Sequence, residues 1–412
     1  MRKIALTIPS PFIFLAFCAI AIPFPALQAA EPASKTGPFS SVVQPFIDHH
    51  TIAGAVSLVA SKDGVLNLEA DGYADLAAQK PMTPDAIFWI ASMTKSITAT
   101  AFMMLVDEGK VKLDDPVAKY LPEFKDQWVA TQQDENRVLL NKAIHPITIR
   151  NLLTHTAGLP PTSRLEEVPG LSLSLETRVR SYAMAPLKYQ PGTSYEYSNA
   201  DLNTIGRIIE VLSGMPYDRF MEERLFKPLG MKDTTFWLDN EQLARLAKAY
   251  SPNATRTGIK EAKLPFKSPL PLGDRRRSPS PAGGLFSTAS DLSNFCRMLL
   301  AGGTFDGKRY LSEASLKQMT SVQTGPILIN GNGLEGYGLG WVVRKMSSKG
   351  DPFNDDGLSA GSFGHKGAFK TAMWVDPDKQ LVMISLIQIA GGSDADKLSP
   401  AFVRAATAKF GK

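Results

Sequence analysis

The sequence is poor in cysteine, and this limits how the chain can be stabilised. Only Cys18 and Cys296 occur among 412 residues. Removal of an N-terminal leader containing Cys18 would leave one thiol, which cannot form an intramolecular disulfide. A chain of this length can bury a large core without such cross-links. We therefore expect no disulfide framework, and we interpret Cys296 as a buried helical residue and not a nucleophile.

Metal-binding patterns and one-sided charge are also missing. The five histidines form no His-Glu-x-x-His motif and the cysteines form no pair, so we predict no metal and no cofactor. The net charge is only +5. The one dense basic run, Arg275–Arg277, lies among proline and serine residues, which is typical of a solvated loop and not of a nucleic-acid patch. We therefore predict no nucleic-acid partner.

The first thirty residues differ in composition from the rest. A basic start is followed by an apolar run from Ile4 to Ile22 and then by small residues up to Ala30. This order is typical of a secretory signal peptide, here residues 1–30, cleaved near Ala29 or Ala30. Four prolines disfavour the alternative, a retained membrane span. We predict an exported protein of a bacterial periplasm, with no stable membrane span once the signal is removed.

Strand patterns lie near both ends of the mature chain. After a linker at 31–38 and a helix at 39–52, strands are predicted at 55–60 and 65–70 around an Asp63-Gly64 turn. The patterns nearer the C-terminus predict three strands and a closing helix: 337–344, 363–375, 380–388 and 400–410. Helical patterns such as 199–213 and 217–226 fill the middle of the chain.

This distribution predicts an α/β (α+β) fold in one domain, 39–412. One antiparallel sheet would be built from both chain ends, about 39–90 and 330–412, and flanked by helices. A helical lobe, about 91–329, would be inserted between them. We expect a ligand cleft between the lobes, with the loops at 160–175 and 251–281 as its walls.

The first motif with chemical potential is Ser92-Met93-Thr94-Lys95, which opens a helical pattern running to Asp107. Serine and lysine three residues apart on a helix share one face, with β-carbons about 5–6 Å apart. A neutral lysine amine can take the serine proton, and burial favours the neutral form. The helix N-terminus would stabilise the anion on Ser92. The alternative is a capping serine beside a solvent-facing lysine.

The second motif, Tyr197-Ser198-Asn199, follows a Pro191-Gly192 turn and leads into the next helical pattern. Tyr197 could share the Ser92 proton and deliver it to a leaving group. Asn199 could hydrogen-bond a substrate oxygen and also hold Lys95. The alternative is a packed tyrosine ring and an asparagine that only caps the helix.

The third motif is His365-Lys366-Gly367-Ala368, at the start of a predicted strand. Glycine weakens a strand unless another group must approach the backbone closely, and a substrate carbonyl is such a group. The amide N–H groups of Ser92 and Ala368 would then form an oxyanion hole. His365 and Lys366 point to opposite sides, so one of them can face the cleft. The alternative is an edge strand with a glycine bulge.

In this order and approximate spacing, the three motifs resemble those of the penicillin-recognising serine hydrolases. The likeness is closest to class C β-lactamases, D-alanyl-D-alanine carboxypeptidases and family VIII esterases, and it covers roughly residues 39–410. The stretches at 152–159 and 281–288 are also similar to that family. The resemblance implies a β-lactamase/transpeptidase-like fold and an acyl-enzyme on Ser92.

The resemblance also implies roles for the remaining motif residues. Lys95 and Tyr197 would carry protons, with the primary base left open between them. Asn199, His365 and Gly367 would contact the substrate.

The third motif departs from the usual lysine, hydroxyl residue and glycine. His365 stands at the lysine position, and a histidine is only partly charged at neutral pH, so it would attract a β-lactam carboxylate less. We therefore expect a carboxylesterase-type activity, with scope for weak β-lactamase activity. A D-alanyl-D-alanine carboxypeptidase or a class C-like β-lactamase is the alternative, so the substrate would be a small ester, a β-lactam or a peptide.

Two rival hypotheses use different features of the sequence. Gly361-Ser362-Phe363-Gly364 approximates a nucleophile elbow, but a strand pattern follows it where an elbow requires a helix. A non-catalytic scaffold that binds peptidoglycan fragments or a protein partner would have no physical reason to keep Lys95 beside Ser92.

Overall fold

The computed structural model describes residues 37–411 except 169, 267, 330–332, 347–355 and 393. The predicted signal peptide and nearly all of the predicted linker lie outside the described residues. Within the described ranges, no helix is long and apolar enough to cross a membrane.

The described helices and strands alternate irregularly along the chain. The helices are α1 (Ser40–Asp48), α2 (Met93–Asp107), α3 (Ile149–Leu153), α4 (Leu175–Ala183), α5 (Asn199–Ser213), α6 (Tyr217–Met221), α7 (Asn240–Arg245), α8 (Ala289–Leu300), α9 (Glu313–Met319) and α10 (Leu398–Phe410). The strands are β1 (Gly54–Ala60), β2 (Val65–Asp75), β3 (Lys80–Pro81), β4 (Phe88–Trp89), β5 (Trp128–Gln133), β6 (Val138–Lys142), β7 (Tyr250–Pro252), β8 (Ile259–Glu261), β9 (Phe286–Ser287), β10 (Thr304–Phe305), β11 (Lys308–Arg309), β12 (Glu335–Tyr337), β13 (Val342–Arg344), β14 (Phe363–Lys366), β15 (Ala372–Asp376) and β16 (Leu381–Leu386).

The main sheet has eight antiparallel strands in the order β12-β13-β14-β15-β16-β1-β2-β3. N-terminal β1 pairs with C-terminal β16, so that Leu58 lies opposite Ile384. This confirms the predicted sheet built from both chain ends. Every residue of β1, β15 and β16 is buried, because α8 covers one face and α1 and α10 cover the other. Cys296 is buried in α8, as predicted.

Two predicted strands are wrong in extent, and each is broken by a reversal of the chain. The strand predicted at 337–344 is a hairpin of β12 and β13, with Gly340 at φ +79° between them. The strand predicted at 363–375 is a hairpin of β14 and β15, with Lys370 at φ +65° in its turn. The first helix also ends earlier than predicted, at Asp48, because His50 adopts φ +53°.

Helix α2 is buried along almost its whole length, from Met93 to Leu105. It packs against α5, α9 and β14, which come from separate parts of the chain. Ser96 donates a hydrogen bond to the Gly340 carbonyl at 2.7 Å, and Thr98 donates one to the Pro281 carbonyl at 2.8 Å. These contacts fix the N-terminal turn of α2 against the helical segments and the sheet together.

The close approach of the β12–β13 hairpin to α2 generates a stability prediction. A Cβ on Gly340 would lie 2.3 Å from the Ala99 Cβ, whereas a Cβ on Gly109, at a similar φ of +71°, meets nothing within 4 Å. Gly109→Ala should cost about 1–2 kcal/mol of unfolding free energy through its backbone alone. Gly340→Ala should cost roughly 1–3 kcal/mol more through overpacking. Denaturant unfolding of both variants checks this, and equal losses would contradict it.

Candidate active site

Ser92 lies at the N-cap of α2, directly after β4. Strand β4 is fixed by pairing with β9 and by a hydrogen bond from the Trp89 amide to the Gln388 side chain at 3.0 Å. Ala91, between strand and helix, has φ +46°, which is uncommon for a residue with a side chain. This sharp reversal sets the Ser92 hydroxyl at the positive end of the helix dipole.

Lys95 follows Ser92 by one helical turn and is completely buried. Its Nζ lies 3.3 Å from the Ser92 Oγ, 2.8 Å from the Asn199 Oδ1 and 2.6 Å from the Ala282 carbonyl oxygen. The ring of Tyr197 lies 4.6 Å from the same nitrogen. The three partners are uncharged groups, so none of them stabilises an ammonium ion as a carboxylate would.

The charge state of Lys95 follows from this burial. Loss of hydration lowers the pKa of Lys95 from 10.5 to about 7, and the negative charge of nearby Asp201 opposes the shift only in part. A substantial fraction of the amines is therefore neutral at physiological pH.

Tyr197 completes the group around the Ser92 hydroxyl. Burial raises the pKa of Tyr197 above its usual value of 10.0, and the nearby Ser92 side chain opposes this effect only in part. The ring remains open on one side, with 38% of the residue exposed. The phenol is thus protonated at neutral pH and accessible to a ligand.

The turn between β14 and β15 brings Ala368 to the same cavity as Ser92. Gly367 makes this approach possible, because a Cβ there would lie 2.6 Å from the Ile90 carbonyl oxygen and 2.2 Å from the Thr371 hydroxyl. The close approach of the Ile90 backbone therefore already requires glycine at this position, whereas the sequence analysis attributed the glycine to a substrate carbonyl. Gly367 does not line the cavity, among the residues that the structure describes there.

His365 points into the protein, whereas Lys366 is exposed, as their alternation predicted. The His365 Nδ1 donates a hydrogen bond to the Lys366 carbonyl at 2.8 Å, and the His365 Nε2 accepts one from the Tyr337 hydroxyl at 3.3 Å. Burial, with a smaller effect of Lys95, lowers the pKa of His365 to about 3. The imidazole is neutral and lies 6.1 Å from the Tyr197 ring, so it packs beside the cavity and is not one of its described lining residues.

Sequence reasoning missed a buried pair behind Tyr197. The Nδ1 of His155 lies 2.8 Å from a carboxylate oxygen of Asp201, and both residues are inaccessible to solvent. The His155 ring lies 4.7 Å from the Tyr197 ring, and the His155 carbonyl accepts from the Glu196 amide at 3.0 Å. Burial lowers the pKa of His155 and raises the pKa of Asp201. The pair therefore packs against the Tyr197 ring and helps to fix the backbone just before it.

A cavity of about 370 Å³ opens in front of Ser92 and Asn199. Both predicted wall loops contribute to it, through residues between Thr162 and Leu173 and between Pro265 and Ser280. Trp89, Phe236 and Phe266 supply aromatic surface to the same cavity.

The basic run Arg275–Arg277, which was predicted to be solvated, is only partly exposed to solvent. Arg275 and Arg276 are exposed, but Arg277 is turned inward and lines the cavity with 7% of its surface exposed. The sequence offered no sign of which arginine would be buried.

Ser362 of the rival elbow is fully buried and is followed by strand β14, not by a helix. The structural context that an elbow nucleophile needs is therefore missing at this serine.

Comparison with known proteins agrees with the geometry around Ser92. The family model described as Beta-lactamase matches residues 39–408. The chain belongs to the Beta-lactamase family. Members of this family are serine hydrolases of β-lactamase/transpeptidase-like fold, and this chain is one of them.

Individual relatives cover most of the chain. Esterase EstB of Burkholderia gladioli is 29% identical, over 84% of this chain and 87% of its own. A Salmonella typhimurium protein provisionally named a D-alanyl-D-alanine carboxypeptidase is 28% identical, over 89% of this chain and 87% of its own. The solved structure of EstCE1, described as a hydrolase with promiscuous acyltransferase activity, is 25% identical with a TM-score of 0.73, over 90% of this chain and 97% of its own.

The lowered pKa of Lys95 generates a prediction about stability. Folding leaves the amine less able to bind a proton. Burial of Lys95 therefore reduces the free energy of unfolding of the wild-type chain most below pH 7, and progressively less as the pH rises toward 10.5. Lys95→Met removes this penalty. The stability advantage of the variant should therefore shrink between these two pH values, by up to about 5 kcal/mol.

Denaturant unfolding across that pH range measures the difference. Lys366→Met removes the same charge from an exposed position and should show no such trend. A gap between Lys95→Met and wild type that is independent of pH would contradict burial of a neutral amine.

Proposed function

We propose that the protein is a carboxylesterase-type hydrolase that forms an acyl-enzyme on Ser92. The observation that carries this proposal is the convergence of three side chains: the Lys95 amine lies 3.3 Å from the Ser92 hydroxyl and 4.6 Å from the centre of the Tyr197 ring. The pKa of the Lys95 amine is lowered and the pKa of the Tyr197 phenol is raised. An amine that can accept a proton and a phenol that can donate one near the same hydroxyl suit proton transfer in both directions.

The hydrogen-bond count around Lys95 supports it as the base. A neutral amine has two N–H donors and one lone pair. Asn199 and Ala282 offer the two shorter contacts and accept these donors. The lone pair is then left for the Ser92 hydroxyl at 3.3 Å. Tyr197, protonated at neutral pH, is the proton donor of the group.

The proposed reaction proceeds in two balanced halves. The Ser92 Oγ attacks the acyl carbonyl while its proton moves to the Lys95 Nζ, and the amides of Ser92 and Ala368 bind the oxyanion. Collapse breaks the ester bond, and the alcohol leaves with a proton delivered through Tyr197, which regains one from Lys95. A water molecule then attacks the acyl-enzyme and gives one proton to Lys95. Collapse breaks the bond between the acyl carbon and the Ser92 Oγ and releases the acid, and Lys95 returns the proton to the Ser92 Oγ.

The neutral state of His365 supports esters over β-lactams as substrates. A buried imidazole whose pKa is lowered to about 3 offers no positive charge to a β-lactam carboxylate. The similarity to a relative named Esterase EstB agrees with this preference. Peptide hydrolysis is the second candidate, because a relative is provisionally named a D-alanyl-D-alanine carboxypeptidase.

We further propose that the chain is exported through residues 1–30, on the composition of this segment. Mass spectrometry of the secreted or periplasmic protein checks this. A mature N-terminus near Ala29 or Ala30 supports export, and an intact N-terminus in the cytoplasm contradicts it.

The Ser92 assignment is tested by covalent labelling and turnover together. A fluorophosphonate probe should modify wild-type protein on Ser92, and Ser92→Ala should lose labelling together with at least about 10³-fold of its esterase turnover. Ser362→Ala is the matched control and should keep both. A short 4-nitrophenyl ester should be turned over faster than a cephalosporin or a D-alanyl-D-alanine peptide.

Three results would contradict the proposal in whole or in part. Absence of an adduct on Ser92 would favour the non-catalytic scaffold, and loss of turnover in Ser362→Ala alone would favour the elbow. Faster turnover of the D-alanyl-D-alanine peptide than of the 4-nitrophenyl ester would favour a carboxypeptidase over an esterase.

A further inference from the structure

Arg277 is a buried cation in the wall of the cavity that contains Ser92. Its guanidinium carbon lies 4.4 Å from the centre of the Phe266 ring, and its Nη1 donates to the Leu272 carbonyl at 2.8 Å. These contacts hold the guanidinium group in place but leave most of its five donors uncommitted.

Nearby carboxylates are engaged with other arginines. Asp274 binds Arg276 through contacts of 2.6 to 3.1 Å. In the same cavity wall, Glu166 lies 3.3 Å from Arg178 and forms an ion pair with it.

Among the described residues, Arg277 has no carboxylate within hydrogen-bond or ion-pair distance. Within the described part of the chain no carboxylate forms a hydrogen bond or an ion pair with Arg277, and its Nε is buried without a partner. Burial lowers the pKa of Arg277, and the negative charge of Asp274, which is hydrogen-bonded to Arg276, opposes this effect only in part. A buried guanidinium needs an anion, and Arg277 lines the cavity that contains Ser92.

We propose that Arg277 binds a carboxylate carried by the substrate, so that the preferred substrates are esters with an anionic group at a distance from the scissile bond. A guanidinium binds a carboxylate through two parallel hydrogen bonds, which gives both affinity and orientation. The aromatic surfaces of Trp89, Phe236 and Phe266 suit the apolar spacer between the ester and the anion. This inference rests on the proposed function, because it assigns the substrate class of the same site.

Two pairs of esters test the proposal. In the first, mono-4-nitrophenyl adipate is compared with methyl 4-nitrophenyl adipate, so that the anion is present or masked on the acyl side. In the second, 3-carboxyphenyl butyrate is compared with its methyl ester, so that the anion is on the alcohol side. In one of the two pairs, the wild-type enzyme should have a kcat/KM for the anionic ester at least about tenfold higher than for its methyl ester, through a lower KM. Added salt should reduce this preference.

Variants then assign the preference to one residue. Arg277→Met should abolish the preference for the anionic ester. Arg277→Lys should keep part of it, because the positive charge remains but the two parallel hydrogen bonds of the guanidinium are lost. Arg275→Met loses the same charge from an exposed neighbour and should keep the wild-type ratio. Circular dichroism and the melting temperature show whether each variant is folded.

The outcomes separate the two levels of the proposal. Equal or lower kcat/KM for the anionic member of both pairs in wild-type enzyme would overturn the role of Arg277, and so would a preference that survives in folded Arg277→Met. Failure of the proposed function looks different, because then neither neutral ester is turned over and Ser92 carries no acyl group.

Discussion

The amine of Lys95 is buried at the start of α2 among groups that carry no charge, and the proposed reactivity of the site depends on this one placement. An ammonium ion there would lack hydration and a bound carboxylate, so the proton is held weakly and the pKa falls to about 7. The Ser92 hydroxyl lies at 3.3 Å from the same nitrogen. In the proposed mechanism the interior of the protein thus provides a base, where an exposed lysine would be a permanent cation.

The fold can be understood as the means of enclosing that amine. Helix α5 supplies Asn199 at its first residue, and the segment before β9 supplies the Ala282 carbonyl. The sheet, which joins strands from both chain ends, carries Ala368 to the cavity on the β14–β15 turn. Each segment alone is an ordinary helix or turn, and only their convergence excludes water from Lys95.

The sequence was sufficient for the features that depend on local pattern. The paired termini of the sheet, the helix after Ser92 and the three motifs follow from periodicity, turn residues and spacing. Features that depend on distant packing were missed. The breaks at Gly340 and Lys370 arise where hairpins must reverse against α2 and Ile90. The His155–Asp201 pair and the inward turn of Arg277 are contacts between segments far apart in the chain.

The most direct test is a titration of the Lys95 amine itself. Protein labelled with ¹³C and ¹⁵N at the lysine ε-position can be followed by NMR against pH, with the Lys95 resonance assigned by its loss in Lys95→Arg. A midpoint at about 7 is the expected result. A midpoint above about 9, near the value of about 10.4 for a solvated lysine, would show that the amine stays charged and would remove the base from the site.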